Sequence, residues 1–163
     1  MQTLTFRPFQ PGDEAAFRDL NEAWIGQYFT IEAKDSALLG DPAQYILRPG
    51  GEIVMALLGD RVVGCCALLA MDDGGFEIAK MAVAEDCRGQ GFGRELLAHV
   101  IGLGWRIGAR RLYLETSTRL PNAIHLYQSE GFVAVAPERL RRSPYARSDV
   151  YMEMLPAGYR RAM

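Results

Sequence analysis

The chain has 163 residues, a net charge of −2 and a pI of about 5.7, with 49% hydrophobic and 23% charged residues. That suits one domain over 1–163 with a sizeable core, and it argues against nucleic acid as a partner, which calls for a basic face. Three cysteines, two of them adjacent, make no disulfide framework; no Cys or His pair has zinc spacing, and no apolar run approaches the roughly 18 residues of a membrane helix, so a metal-free cytoplasmic protein without a membrane partner is expected.

Residues 3–8 alternate like a strand, and nothing there resembles a targeting segment. Pro11-Gly12-Asp13 breaks the strand, and Asp13 is the expected N-cap of a helix whose Phe17, Leu20 and Trp24 recur at helical spacing to about Gln27. A shorter helix is expected over 32–39, then a turn at Gly40-Asp41-Pro42. Strands at 52–58 and 61–70 are joined by the hairpin turn Gly59-Asp60, and Asp72–Gly75 leads to a strand at 76–83. Phe92, Leu96, Val100, Leu103 and Ile107 then mark a helix with one apolar stripe, closed by Gly108. A strand at 110–117 completes a βαβ unit. Pro121 opens a short helix through Glu130, ended by Gly131, and strands at 132–136 and 149–155 flank a polar, arginine-rich loop. The fold class is α/β (α+β): a mixed, largely antiparallel central sheet flanked by helices.

The chemistry concentrates between the strand at 76–83 and the next helix. Arg88-Gly89-Gln90-Gly91-Phe92-Gly93 alternates glycines that let backbone N–H groups approach a ligand. A helix start adds unpaired donors and the positive end of the dipole, and Arg88 and Arg94 add charge. The result is an anion site fit for a pyrophosphate. A P-loop would need Gly-Lys-Ser/Thr, which is absent. A dinucleotide fingerprint would need a small residue where Arg94 stands, although Glu115 lies about twenty residues on, as a ribose-binding acid would. A nicotinamide-dependent oxidoreductase therefore stays open on the loop alone.

A second motif runs from Asn122 to Phe132, with Ala123, Tyr127, Gly131 and Phe132 at the spacing A-x-x-x-Tyr-x-x-x-Gly-Phe. Together with Arg88, Gly91 and Gly93, it resembles the GNAT superfamily of acyl-CoA-dependent N-acyltransferases over roughly residues 3–155. The resemblance implies an acetyl-CoA donor whose pantetheine arm pairs with Met81, Ala82 and Val83. The loop Arg88, Gly89, Gln90, Gly91, Phe92 and Gly93, with Arg94 close by, would hold its pyrophosphate. Tyr127 matches the family tyrosine that positions or protonates the departing thiolate. Many members carry an asparagine seven residues before that tyrosine; here Leu120 stands there, so Ser117, Thr118 or Asn122 would have to supply its contact.

Strand alternation places Glu77 on one face with Ala79, Met81 and Val83. A carboxylate on an apolar face has a raised pKa and suits a base near neutrality, so Glu77 is the first candidate base, with pairing to Lys80 or an arginine as the structural alternative. Glu115 is the second candidate, or a grip for the acceptor's ammonium. In the GNAT superfamily the first helices and the late loop border the acceptor site, so the resemblance implies Trp24, Tyr28 and Phe29 as an acceptor wall, with plain core packing as the alternative. Arg139, Arg141, Arg142 and Arg147 read as a solvated face or as contacts to a phosphate or an acidic acceptor. The implied function is transfer of an acetyl group to a small-molecule or peptide amine by direct attack, with a non-catalytic acyl-CoA sensor as the alternative. A homodimer is compatible with the sequence.

Overall fold

In the computed structural model, which describes residues 3–156, seven strands join in one sheet of order β1-β2-β3-β4-β5-β7-β6. The strands are β1 (Leu4–Pro8), β2 (Glu52–Leu58), β3 (Arg61–Ala70), β4 (Phe76–Val83), β5 (Leu112–Thr116), β6 (Val133–Ala134) and β7 (Val150–Met154). All neighbours are antiparallel except β4 and β5. The four α-helices are α1 (Glu14–Tyr28), α2 (Ala33–Gly40), α3 (Phe92–Arg106) and α4 (Pro121–Ser129). A π-helical turn at Ala43–Leu47, not foreseen from sequence, follows α2. No helix among the described residues is long and apolar enough to cross a membrane.

The sheet separates two cores. Phe17 and Ile25 of α1 and Leu38 and Leu39 of α2 pack on Ile53, Met55, Cys65 and Ala67. Leu96, Leu97 and Val100 of α3 pack on the other face, against Val54, Cys66, Ile78 and Leu112. Covering both faces explains why β3 reads Val-Val-Gly-Cys-Cys-Ala-Leu-Leu rather than alternating. The stripe of α3 runs slightly off the expected line. Leu97 and Gly104 are buried, whereas Ile107 is exposed, because Gly104 lets the helix approach Leu112 closely. Gly108 closes α3 at φ +91°, and its N–H bonds Trp105 O while Ala109 N–H bonds Gly104 O.

Two local expectations change. Asp13 stands at the start of α1, but its carboxylate makes no cap. It instead accepts two bonds from Arg7 (2.6 and 3.0 Å) and one from Gln10 N–H (2.9 Å), because the guanidinium of β1 out-competes a helix amide. In β4 the register shifts opposite Cys65–Ala67, and Lys80 takes φ +55°. This bulge reverses the alternation. Ile78 packs with the α3 core before it and Ala82 with the α1 core after it. Met81 and Val83 therefore face α3, not the side of Glu77 as simple alternation gave.

Gly51 is held where backbone closes in. A Cβ there would collide with Leu68 O and lie 2.6 Å from Ile46 O. Neither carbonyl can move without breaking its strand or turn, so Gly51→Ala is expected to cost about 1–3 kcal/mol in thermal or urea unfolding. Wild-type stability in that variant would contradict the packing at this corner.

Candidate active site

β4 and β5 pair only at Phe76↔Leu112 and Glu77↔Tyr113. Beyond that point they share no ladder, and a cavity of about 360 Å³ opens between them and reaches both faces of the sheet. From the α1 side it is bordered by Trp24, Phe29 and Glu77, from β5 and the residue after it by Glu115 and Ser117, and from the α3 side by Met81, Val83 and the glycine loop. Ala82, Asn122 and Tyr127 complete the expected set that the fold brings together. Tyr28 borders a neighbouring groove instead. Gln90 and Arg94 lie off the cavity: Gln90 Nε2 reaches Asp86 O at 3.5 Å, and Arg94 ties α3 to α4 through Ser129 Oγ at 3.0 Å.

The glycine loop is built to present donors. Gly89 (φ +79°) and Gly91 (φ +83°) occupy the left-handed region, and Gly91 starts α3 with no side-chain cap. The N–H groups from Gly89 to Arg94 find no acceptor among the described residues, while Glu95 N–H already bonds Gly91 O. Nothing lies within 4 Å of where a Cβ of Gly89, Gly91 or Gly93 would sit. Unpaired donors at a helix start, with open space before them, fit an anion. The Arg88 side chain turns away from that space. Its Nε donates to Val83 O (3.0 Å), its Nη1 to Gln27 Oε1 (2.8 Å), and its guanidinium lies 5.0 Å from the Trp24 ring centre.

The carboxylates behave differently from one another. Glu115 accepts from Tyr113 Oη (2.9 Å) and Ser143 Oγ (2.6 Å). The Glu77 carboxylate makes no hydrogen bond or ion pair among the described residues, because Lys80, the partner of the structural alternative, is bound to Asp35 instead. Burial first, then the charge of Glu115, push the Glu77 carboxyl up to about 7, with Lys80 and Lys34 acting the other way. Tyr127 is partly buried against the α3 core, edge-on to Phe132 at 6.2 Å. Burial, with a smaller effect of Cys66, raises its phenol well above the usual range. The carbonyl of Tyr127 accepts from Phe132 N–H (3.0 Å), and Gly131 at φ +106° makes that closure available. Leu120 starts α4 without a side-chain cap, as its apolar side chain requires. Ser117 Oγ instead receives Arg119 N–H at 3.2 Å.

Sequence reasoning missed Asn21, Lys80, Tyr145 and Ser148, which also border the cavity. Arg147, read as part of a solvated face, is an inward clamp on Asp35 and Glu32. For Lys80 and Arg147 no local sequence signal exists, since the carboxylates they bind lie 45 to 115 positions away. Among the described residues, no group of three or more His, Cys, Asp or Glu side chains could hold a metal ion.

A family model described as the acetyltransferase (GNAT) family matches residues 14–132. An uncharacterised N-acetyltransferase, YvbK, of Bacillus subtilis is 31% identical over 113 residues, 66% of this chain and 72% of that protein. The fold is similar to an acetyltransferase of the GNAT family from Staphylococcus aureus (TM-score 0.82, 18% identity, 94% of this chain and 99% of that one). It is also similar to spermidine N-acetyltransferase from Vibrio cholerae, solved with CoA and spermine (TM-score 0.74, 19% identity, 96% and 97% covered).

Proposed function

The chain belongs to the acetyltransferase (GNAT) family and is an acetyl-CoA-dependent acetyltransferase, and from that premise we propose that residues 1–163 form one catalytic domain that moves the acetyl group onto a primary amine of a small molecule or peptide by direct attack. The observation that carries this reading is the through-sheet cavity, with unpaired loop N–H groups on one side and a partly buried carboxyl without a side-chain partner among the described residues on the other. The N–H groups of Gly89 to Gly93 suit the pyrophosphate of the donor. The β4 edge at Met81–Val83, which has no β5 partner, suits its pantetheine arm. A backbone N–H there would also polarise the thioester carbonyl. Spermine, a polyamine bound with CoA in the similar Vibrio structure, supports an amine as acceptor.

Glu77 is assigned the base. An acceptor amine is largely protonated near neutrality and must lose that proton, directly or through water, before it attacks. A carboxyl titrating near 7 accepts a proton better than one near 4.5. Glu115, already holding two hydroxyl donors, is assigned the ammonium grip. Trp24 and Phe29 form the apolar wall.

Tyr127 is assigned to hold the sulfur rather than to protonate it. A phenol raised further by burial is a poor acid toward a thiolate whose conjugate acid is near 8.5. Tyr127→Phe is therefore expected to lower kcat by only about 3–10-fold, the loss of one hydrogen bond. A far larger drop would return the general-acid role to it.

The reading is tested by thiol release from acetyl-CoA over a panel of small amines and peptides. Turnover on at least one amine is expected. No binding of any CoA species would overturn the assignment of the cavity. Tight binding with no turnover on any acceptor would recast the protein as an acyl-CoA-binding module.

A further inference from the structure

Asp35 lies in α2, remote in sequence from both motifs, yet it ties three segments together. It is fully buried, and each oxygen accepts two bonds. Oδ1 takes Lys80 Nζ (2.5 Å) and Arg147 Nη2 (2.7 Å); Oδ2 takes Arg147 Nη1 (2.8 Å) and Glu32 N–H (2.9 Å). Arg147 also reaches Glu32 at 3.3 Å. Two cations thus meet two carboxylates, and the cluster is electrically neutral.

Such a cluster is a costly way to secure stability alone. Desolvating buried charges offsets most of their attraction, and apolar packing commonly serves a fold as well. Its connections point elsewhere. Lys80 is the one non-glycine residue with positive φ among the described residues, and it forms the bulge that turns Met81 and Val83 toward α3 while Glu77 stays on the other face. Its side chain is 4% exposed, and its ammonium donates also to Tyr145 Oη at 3.0 Å. Arg147 anchors the loop that carries Tyr145 and Ser148 to the cavity and Ser143 to Glu115.

We propose that Asp35 is a positioning residue for the transfer: through Lys80 it holds the bulge of β4, and through Arg147 it holds the late loop that brings Tyr145 and Ser148 to the acceptor end of the cavity, without touching the acetyl donor. This rests on the reading of Glu77 as the base. The groups facing Glu77 are Lys80 on its own strand, Glu115 and Tyr113 from β5, Lys34 from α2 and Tyr145 from the late loop. Lys80 is the one that Asp35 neutralises by direct contact.

The experiment compares the pH profile of kcat/KM, acceptor KM and acetyl-CoA Kd by calorimetry in Lys80→Met, Asp35→Asn and the double variant. Acceptor KM is expected to rise about tenfold or more in each, as charge-assisted bonds are lost, with the Kd unchanged within twofold. The acid limb should move to higher pH in Lys80→Met, which removes a cation near Glu77, and to lower pH in Asp35→Asn, which leaves that cation uncompensated. In the double variant the limb should match Lys80→Met, because Asp35 acts through Lys80. Arg147→Lys keeps the charge but loses the two-point bond. It should raise acceptor KM and leave the limb in place, which keeps the proposal testable if Asp35→Asn does not fold. Limbs that move together, or a Kd that weakens in parallel with KM, would overturn it. Glu77→Gln run alongside separates the failures. Full turnover there sinks the base reading, whereas a limb lost in Glu77→Gln but unmoved in Lys80→Met and Asp35→Asn sinks the positioning role.

Discussion

Glu77→Gln is expected to lower kcat/KM by about 10²–10⁴-fold, the usual contribution of a positioned general base, while leaving the acetyl-CoA Kd unchanged. The amide keeps the size of the carboxyl but cannot take a proton. The Glu77 carboxylate has no hydrogen bond or ion pair among the described residues to lose, so the substitution leaves no partner stranded. The wild-type profile should rise with pH through about 7, where the carboxyl ionises, and the variant should lack that limb.

Stability should move the opposite way. The folded carboxyl titrates near 7 against an ordinary 4.5, so between those values the folded chain binds more protons than the unfolded one. Stability therefore falls as pH rises across that window. Gln escapes the penalty. Thermal melts should show Glu77→Gln more stable than wild type at pH 8 and equal to it below pH 4. A variant that is both inactive and less stable at pH 8 would indicate a structural role instead. Undiminished turnover would move the proton transfer to Glu115 or to water.

Gly93→Val should separate what the fold needs from what the donor needs. Gly89 and Gly91 sit at positive φ, so their backbone demands glycine whatever binds. Gly93 does not. It lies in the first turn of α3, in a conformation open to any residue, with nothing within 4 Å of its Cβ position. Valine there should change stability by no more than about 1 kcal/mol. Its methyl groups would project into the space in front of the loop N–H groups. Acetyl-CoA affinity should fall about 10–100-fold, as charge-assisted bonds from those groups are lost. Calorimetry against a melting curve measures both. Unchanged affinity would show that the anion does not approach this turn, and a large loss of stability would show that the glycine serves packing.

Much of the fold was legible because its signals are local. The strand at 52–58, the hairpin at Gly59-Asp60 and the strand at 61–70 follow from alternation and turn chemistry alone. Gly108 and Gly131 announced two helix ends because each relieves a left-handed residue. Asp13 holds the N-cap position, but its side-chain cap and the shared face of Glu77 with Met81 and Val83 were misjudged for one reason. Each depends on a partner outside the local window: Arg7 across the turn for Asp13, and the register of β3 for the bulge at Lys80.

By itself, then, the sequence determined the elements and their order, the donor-rich loop from Arg88 to Gly93, and the motif around Tyr127. Each of these is written in spacings of a few residues, where backbone geometry sets the outcome. Only the tertiary structure decided that β4 and β5 part after Glu77, so that carboxyl and loop open on one cavity from opposite faces. It alone decided that Lys80 serves Asp35 and leaves Glu77 free, and that Arg147 turns inward from a loop that looked solvated. Charge pairing between segments more than forty residues apart has no local signature, because it depends on which side chains the sheet's register brings together.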